Sequence, residues 1–206
     1  RIGDEIVGRP YSIVSAPGDP FLEFYFSTVP EGPLSPRLSE LKAGDVVQVA
    51  PKPNGFLVLD EVPPAIHLWL VSTGTGLGPF LSILKTPAPW QRFQRVVLVH
   101  AARTADELTY RRAIARVMEA EPKRFAYIPF LSRENADFAL PGRIPQAIAD
   151  GRLEARAALG LDATLAHVML CGNPAMVEDA TAALAARGFR KHKRKEPGQI
   201  SMETYW

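Results

Sequence analysis

The chain has 206 residues, 47% of them hydrophobic, and a formal net charge of +2. Those values suit one large globular domain or two small ones and make no case for nucleic acid as a partner. Its single cysteine excludes an internal disulfide framework and a cysteine-ligated iron–sulfur cluster, and no apolar run reaches the roughly 20 residues that cross a bilayer.

The first residues, Arg1 to Gly8, include no initiator Met, so residues upstream are expected. From Arg9 to about Val58 the pattern is β-rich. Short strands are expected at 11–15, 22–29 and 45–49, punctuated by Pro/Gly clusters at 17–20, 31–36 and 51–55, with one short helix over 35–41. Several short strands with turns between them suggest a small antiparallel barrel. About 60 residues barely suffice for one, which again points to strands upstream. Pro63-Pro64 marks a boundary, because consecutive prolines break pairing and extend the chain.

From Ala65 onward strands alternate with helices. The expected strands are 66–72, 95–101, 125–131 and 167–171; the helices are 79–84, 107–120, 144–149 and 174–186, with a last extended piece at 199–205. Alternation of this kind gives a parallel sheet wound on both faces, with ligands at the C-terminal strand ends. The expected fold is thus an antiparallel β-barrel over 1–62 followed by a parallel α/β sheet over 63–206. Met118 and Met169 read as core filler.

The apolar run from Ile66 to Val71 ends abruptly in Gly74-Thr75-Gly76-Leu77-Gly78-Pro79, after which helical spacing resumes. Strand, glycine-rich turn and helix N-terminus present backbone N–H groups to a phosphate, and a Cβ at the glycines would hold the ligand away. The same turn serves as a plain tight connection between strand and helix. Its spacing differs from G-x-G-x-x-G, the third glycine coming one residue early, and the next strand ends in Ala102-Arg103 rather than in an acid. An acid there suits a ribose 2′-hydroxyl; an arginine suits a 2′-phosphate. Ser132-Arg133 ends the following strand, and Arg143 comes shortly after it. Three arginines at one sheet edge suggest a dianionic phosphate, although a single surface arginine is more often merely solvated.

Arg9-Pro10-Tyr11-Ser12, then Gly74 to Pro79, then Cys171-Gly172-Asn173-Pro174-Ala175-Met176 occur in this order along essentially the whole chain. In this the chain resembles the ferredoxin–NADP reductase family, and its bacterial, enterobacterial-type subclass in ending on the aromatic pair Tyr205-Trp206. The resemblance implies an FAD-binding barrel over 1–62, partial here because the family's first barrel strands precede its R-x-Y-S motif, and an NADP-binding sheet over 63–206. It places Arg9 on the FAD pyrophosphate, Tyr11 on the isoalloxazine and Ser12 near flavin N5, with Pro10 where alanine is common. Further FAD contacts are implied at Tyr25, Pro33, Leu34, Ser35 and Thr75, and at Trp206 near the adenine or the flavin. Gly74 and Gly76 would cradle the nucleotide. Ala102, Arg103, Ser132, Arg133 and Arg143 would hold the 2′-phosphate end, and Cys171, Gly172, Asn173 and Pro174 would lie near the nicotinamide, with Asp179 a weaker candidate. The implied catalytic residues are Ser12, Tyr11 and Cys171, although Cys171 equally suits a small buried residue at a strand end.

The implied activity is FAD-dependent hydride exchange with NADPH and single-electron exchange with ferredoxin or flavodoxin, in a cytoplasmic monomer with no metal site and no membrane association. Because such carriers are acidic, Lys191, Lys193, Arg194 and Lys195 are candidates for a docking face, for added 2′-phosphate contacts, or for a solvated loop. The rivals are the reductase component of an oxygenase and a non-catalytic nucleotide-binding module that has lost flavin.

Overall fold

The computed structural model of the protein describes residues 6–204. Six strands form one parallel sheet: β1 (His67–Thr73), β2 (Arg95–Ala102), β3 (Phe125–Leu131), β4 (Leu140–Pro141), β5 (Ala166–Gly172) and β6 (Ile200–Thr204). Their order is β4-β3-β2-β1-β5-β6, with every neighbouring pair parallel. The chain runs outward from β1 to one edge, then returns to fill the other side. The reversal falls between β1 and β5, the place where sheets of this kind bind ligands.

The α-helices among the described residues are α1 (Ser35–Ser39), α2 (Leu77–Leu84), α3 (Ala88–Arg92), α4 (Arg111–Ala120), α5 (Ile144–Ala149), α6 (Arg152–Ala157) and α7 (Pro174–Ala185). Period-two alternation along the strands decides which face each side chain serves. Trp69, Val71, Val97, Val99, Val168 and Leu170 share one core with α5, α6 and α7. Leu68, Leu70, Val96, Leu98, Met169 and Cys171 share the other with α2. Both faces are covered, which is why these strands read as unbroken apolar runs.

The central strands fall within a residue or so of their expected limits. The helix expected over 107–120 does not form as one piece. A 3-10 turn at Ala105–Glu107 is followed by Tyr110 in the left-handed region, φ 57°, and only then by α4. A left-handed residue cannot continue an α-helical ladder. Met118 corrects the core reading: it is 44% exposed on α4, whose buried residue is Ile114, whereas Met169 is fully buried.

Residues 6–62 depart most from expectation. Among the described residues no strand precedes His67, and Ile13 and Phe24 form only an isolated antiparallel bridge, beside a hydrogen bond from the Val14 N–H to the Glu23 carbonyl (2.8 Å). Among the described residues the piece at 45–49 pairs with no strand, and Val46 is 88% exposed. Apolar alternation marks a chain that could be a strand, but a ladder requires a neighbour to complete its hydrogen bonds. The segment is nonetheless anchored. Val14, Leu57, Leu59 and Val62 are buried in the same core as α2, and the Arg92 guanidinium donates to the carbonyls of Leu59 (2.5 Å) and Val62 (2.8 Å).

Candidate active site at the strand ends

β1 ends at Thr73, and Gly74–Gly76 form a single 3-10 turn that leads directly into α2. Gly74 sits at φ +51°, and a Cβ there would meet nothing within 4 Å, so the turn is open on that side. Gly76 is required for another reason. A Cβ would lie 2.6 Å from the Cys171 carbonyl carbon and 2.9 Å from Gly172 Cα. Gly172, at φ +132°, would put its own Cβ 2.7 Å from the Thr73 carbonyl oxygen. The turns after β1 and β5 therefore pack backbone against backbone.

Side chains lock this arrangement. Thr73 Oγ1 accepts the Asn173 N–H (2.9 Å), and Asn173 Oδ1 accepts from Ala175 N–H (3.0 Å) and Met176 N–H (3.3 Å), capping α7 with Pro174 in its first turn. His100, fully buried at the end of β2, brings Nε2 within 3.2 Å of the Gly74 carbonyl. A carbonyl only accepts, so Nε2 carries the proton. Burial pushes the His100 pKa down to about 4, which leaves a neutral ring under the glycine turn.

On the other side of the reversal the β2–β3 ladder continues past both strands. The Ala102 carbonyl accepts the Ser132 N–H (3.1 Å) and the Arg103 carbonyl accepts the Arg133 N–H (2.9 Å), so the two dipeptides lie side by side. The Gly142 N–H bonds the Leu131 carbonyl (2.9 Å), setting Arg143 at the N-cap of α5. All three arginines are exposed. Among the described residues no side-chain hydrogen bond or ion pair engages Arg133 or Arg143. Arg103 is different: Glu107 accepts from its backbone N–H (2.9 Å) and pairs with its Nε (2.9 Å). A ligand would have to compete with that carboxylate for Arg103.

Residues 12–14 lie against Gly78 in the first turn of α2. A Cβ on Gly78 would meet Val14 Cγ2 at 3.3 Å and the Ser12 carbonyl at 4.0 Å, and Val14 shares a core with Leu77 and Cys171. Arg9 and Pro10 are exposed. Tyr11 is half-buried and packs edge-on against Phe26, with ring centroids 5.5 Å apart. Burial raises its hydroxyl pKa, opposed in part by the Arg9 charge.

The remaining candidates are placed as follows. Tyr25 packs edge-on against Tyr110 at 5.4 Å. Pro33, Leu34 and Ser35 form the entry to α1, where Ser35 Oγ is buried and accepts the Val29 N–H (2.9 Å), while the Pro33 carbonyl accepts from Arg37 (2.6 Å). Thr75 is half-buried. Cys171 is 0% exposed, so solvent does not reach its thiol. Asp179 is exposed in the second turn of α7. Trp206 lies outside the described residues. No three His, Cys, Asp or Glu side chains among the described residues gather as a metal site.

Two supports escaped the sequence reading. His100 is the one polar residue within the otherwise apolar run Val96–Ala102 of β2, a signal present in the sequence. The second is a polar network joining Glu23 and Lys85 to Tyr110, residues far apart in the chain, and no local pattern announces it.

A parallel sheet whose reversal carries a tight glycine turn, beside an edge lined with arginines, defines a nucleotide-binding α/β domain. The family model for the oxidoreductase NAD-binding domain matches residues 70–182. The flavodoxin/ferredoxin–NADP reductase of Escherichia coli (strain K12) is 46% identical over 207 residues, covering 100% of this chain and 84% of that protein. The ferredoxin–NADP reductase of Pseudomonas aeruginosa is 37% identical over 215 residues, covering 98% and 83%. The crystal structure of a ferredoxin NADP+ reductase from Neisseria gonorrhoeae with bound FAD and NADP superimposes with a TM-score of 0.91 at 33% identity, covering 96% of this chain and 80% of that one. The chain belongs to the flavodoxin/ferredoxin–NADP reductase family.

Proposed function

We propose that the protein is an FAD-dependent reductase that exchanges hydride between NADP(H) and FAD and single electrons with ferredoxin or flavodoxin. What carries this is the contact between the two cofactor motifs: the Ser12 carbonyl and the Val14 side chain lie against Gly78 in the first turn of α2. Residues separated by more than 60 positions thereby form one site. Bound FAD supplies the change between paired and single electrons.

The residues suit both nucleotides. Gly74 opens outward, where a ligand meets backbone with no side chain between. On the flavin side, Arg9 is the pyrophosphate anchor, Tyr11 offers a ring face to the isoalloxazine, and the Ser12 hydroxyl orients the hydride acceptor. Tyr25 and the 33–35 entry to α1 complete that half within a barrel domain over 1–62, with Thr75 and Trp206 reaching it from the sheet domain. Over 63–206, Arg133 and Arg143 supply charge for a 2′-phosphate with Ala102 and Ser132 beside them, and Arg103 joins once released from Glu107. The turn Cys171–Pro174 borders the nicotinamide; Cys171, being buried, contributes shape rather than a reactive thiolate.

The basic run is smaller as a docking face than its composition suggests. Arg194 is engaged by Glu61 in a two-pronged ion pair (2.6 and 2.9 Å) and stacks on Phe56 at 4.4 Å, and Lys193 pairs with Glu196 at 3.2 Å. Lys191 and Lys195 are left to meet an acidic carrier. We take the protein to act as a monomer in the cytoplasm; no helix among the described residues is long and apolar enough to cross a membrane.

The test is NADPH-driven reduction of a purified ferredoxin and a purified flavodoxin by the FAD-loaded protein. Reduction of either at a rate that falls with salt is expected. Flavin reduction with no transfer to either carrier would overturn the carrier assignment.

A further inference from the structure

Several contacts between the 6–62 segment and the sheet domain converge at one place. On α2, Ser82 Oγ donates to the Ser15 carbonyl (2.7 Å). Lys85, which caps that helix, donates from Nζ to the Val14 carbonyl (3.1 Å) and pairs with Glu23 (3.2 Å). The other Glu23 oxygen accepts the Tyr110 hydroxyl (2.8 Å), and the Tyr25 ring meets the Tyr110 ring edge-on. Glu23 is also tied to the strip itself, its N–H donating to Ser15 Oγ (3.1 Å) and its carbonyl accepting the Val14 N–H (2.8 Å). Glu23 thus joins three pieces of chain: the 14–15 strip through its backbone, and the end of α2 and the start of α4 through its carboxylate.

The local backbone fits a purpose beyond filling space. Tyr110 holds φ 57°, a conformation non-glycine residues keep only where their surroundings impose it. Burial, then the hydrogen bond to Glu23, raises the Tyr110 hydroxyl pKa well above its ordinary value, so it remains a donor through the neutral range. Ser12 lies two residues before Val14, and the glycine turn opens the same helix that carries Ser82 and Lys85. A clamp on Val14 and Ser15 therefore sets how far the flavin-side strip stands from the glycine turn.

We propose that Tyr110, Glu23 and Lys85 are positioning residues for hydride transfer, forming a clasp that fixes the strip carrying Tyr11 and Ser12 against α2. The inference rests on the function proposed above. None of the three is placed on reacting atoms; their effect is through distance, to which hydride transfer is steeply sensitive.

The experiment compares Tyr110→Phe, Glu23→Gln and the double variant with wild type, as full-length protein. It reads hydride transfer at saturating NADPH by stopped flow, the Kd for NADP+, flavin content, and hydrogen exchange at the Val14 and Glu23 amides in flavin-free protein. A hydrogen bond to a charged group is worth about tenfold in an equilibrium. Each single variant is expected to slow hydride transfer about tenfold and to speed exchange at both amides by a similar factor, with flavin content and Kd within about twofold of wild type. The double variant should lose no more than the worse single, because the groups act as one unit. Unchanged transfer despite faster exchange would overturn the positioning role, as would losses that multiply in the double variant or a rate that falls only with flavin content. Exchange at the two amides does not depend on flavin, so a wild type unable to transfer hydride would defeat the proposed function and leave the clasp to be judged separately.

Discussion

Gly76→Ala tests the construction of the site most severely. The added Cβ would lie 2.6 Å from the Cys171 carbonyl carbon and 2.9 Å from Gly172 Cα, where ordinary contact begins at 3.4 Å. Both obstacles are backbone, so no rotamer change relieves them. They belong to β5 and its turn, and β5 is hydrogen-bonded to β1 on one side and β6 on the other. The glycine turn must therefore retreat by about 1 Å to clear the Cys171 carbonyl. Overpacking of this kind costs about 1–3 kcal/mol of stability. A displacement near 1 Å at a reacting site costs about 100-fold in rate. Stopped-flow flavin reduction by NADPH and thermal unfolding with and without NADP+ give both numbers. Gly74→Ala is the companion: its Cβ has open space, so only backbone strain of about 1–2 kcal/mol is expected. If Gly76→Ala reduces flavin within about threefold of wild type and melts at the same temperature, the backbone-on-backbone packing is wrong.

Acid should weaken the fold in a defined window. Burial lowers both His100 and His167 from 6.5 to about 4. As pH falls below 6.5 the unfolded chain takes up protons that the native state refuses until near 4, so stability present at neutral pH is lost across that interval, by about 3 kcal/mol per histidine. Urea unfolding at stepped pH reads this, and a flat profile between 6.5 and 4 would refute it. Arg133→Ala and Arg143→Ala should each weaken NADPH about 10-fold or more while leaving NADH unchanged, since each removes a charge-assisted contact to the 2′-phosphate; equal losses for both nucleotides would place the phosphate elsewhere. Glu107→Gln should tighten NADPH by releasing Arg103, and a weaker Kd would show that the pair holds the loop instead. Lys191→Glu with Lys195→Glu should slow carrier reduction and flatten its salt dependence, with NADPH-to-flavin transfer intact.

The sheet was legible because its information is local. Apolar runs of strand length, each bounded by Gly, Pro or Arg, place β1, β2, β3 and β5 nearly to the residue, and the residues just beyond those strands are the ones the fold gathers at its reversal. What was not legible is non-local or decided by backbone conformation. Nothing in Glu107 to Ala120 announces that Tyr110 will turn left-handed, because the conformation is held by Glu23 and Tyr25 from another part of the chain. α6 lies between left-handed Gly151 and left-handed Ala158, too short for helical periodicity to register. The apolar alternation at 45–49 was visible, yet whether it forms a ladder depends on neighbours. The basic run is non-local in the same way: composition leaves open whether Arg194 docks a carrier, meets a phosphate or is solvated, and Glu61, 133 positions away, engages it.

The proposed activity is hydride exchange between NADP(H) and a flavin held by this chain. Its most direct test is anaerobic titration of the FAD-loaded protein with NADPH and, separately, with NADH, following the flavin absorbance. Stoichiometric bleaching by NADPH with little by NADH is the predicted result. Bound flavin that neither nucleotide bleaches would contradict the claim.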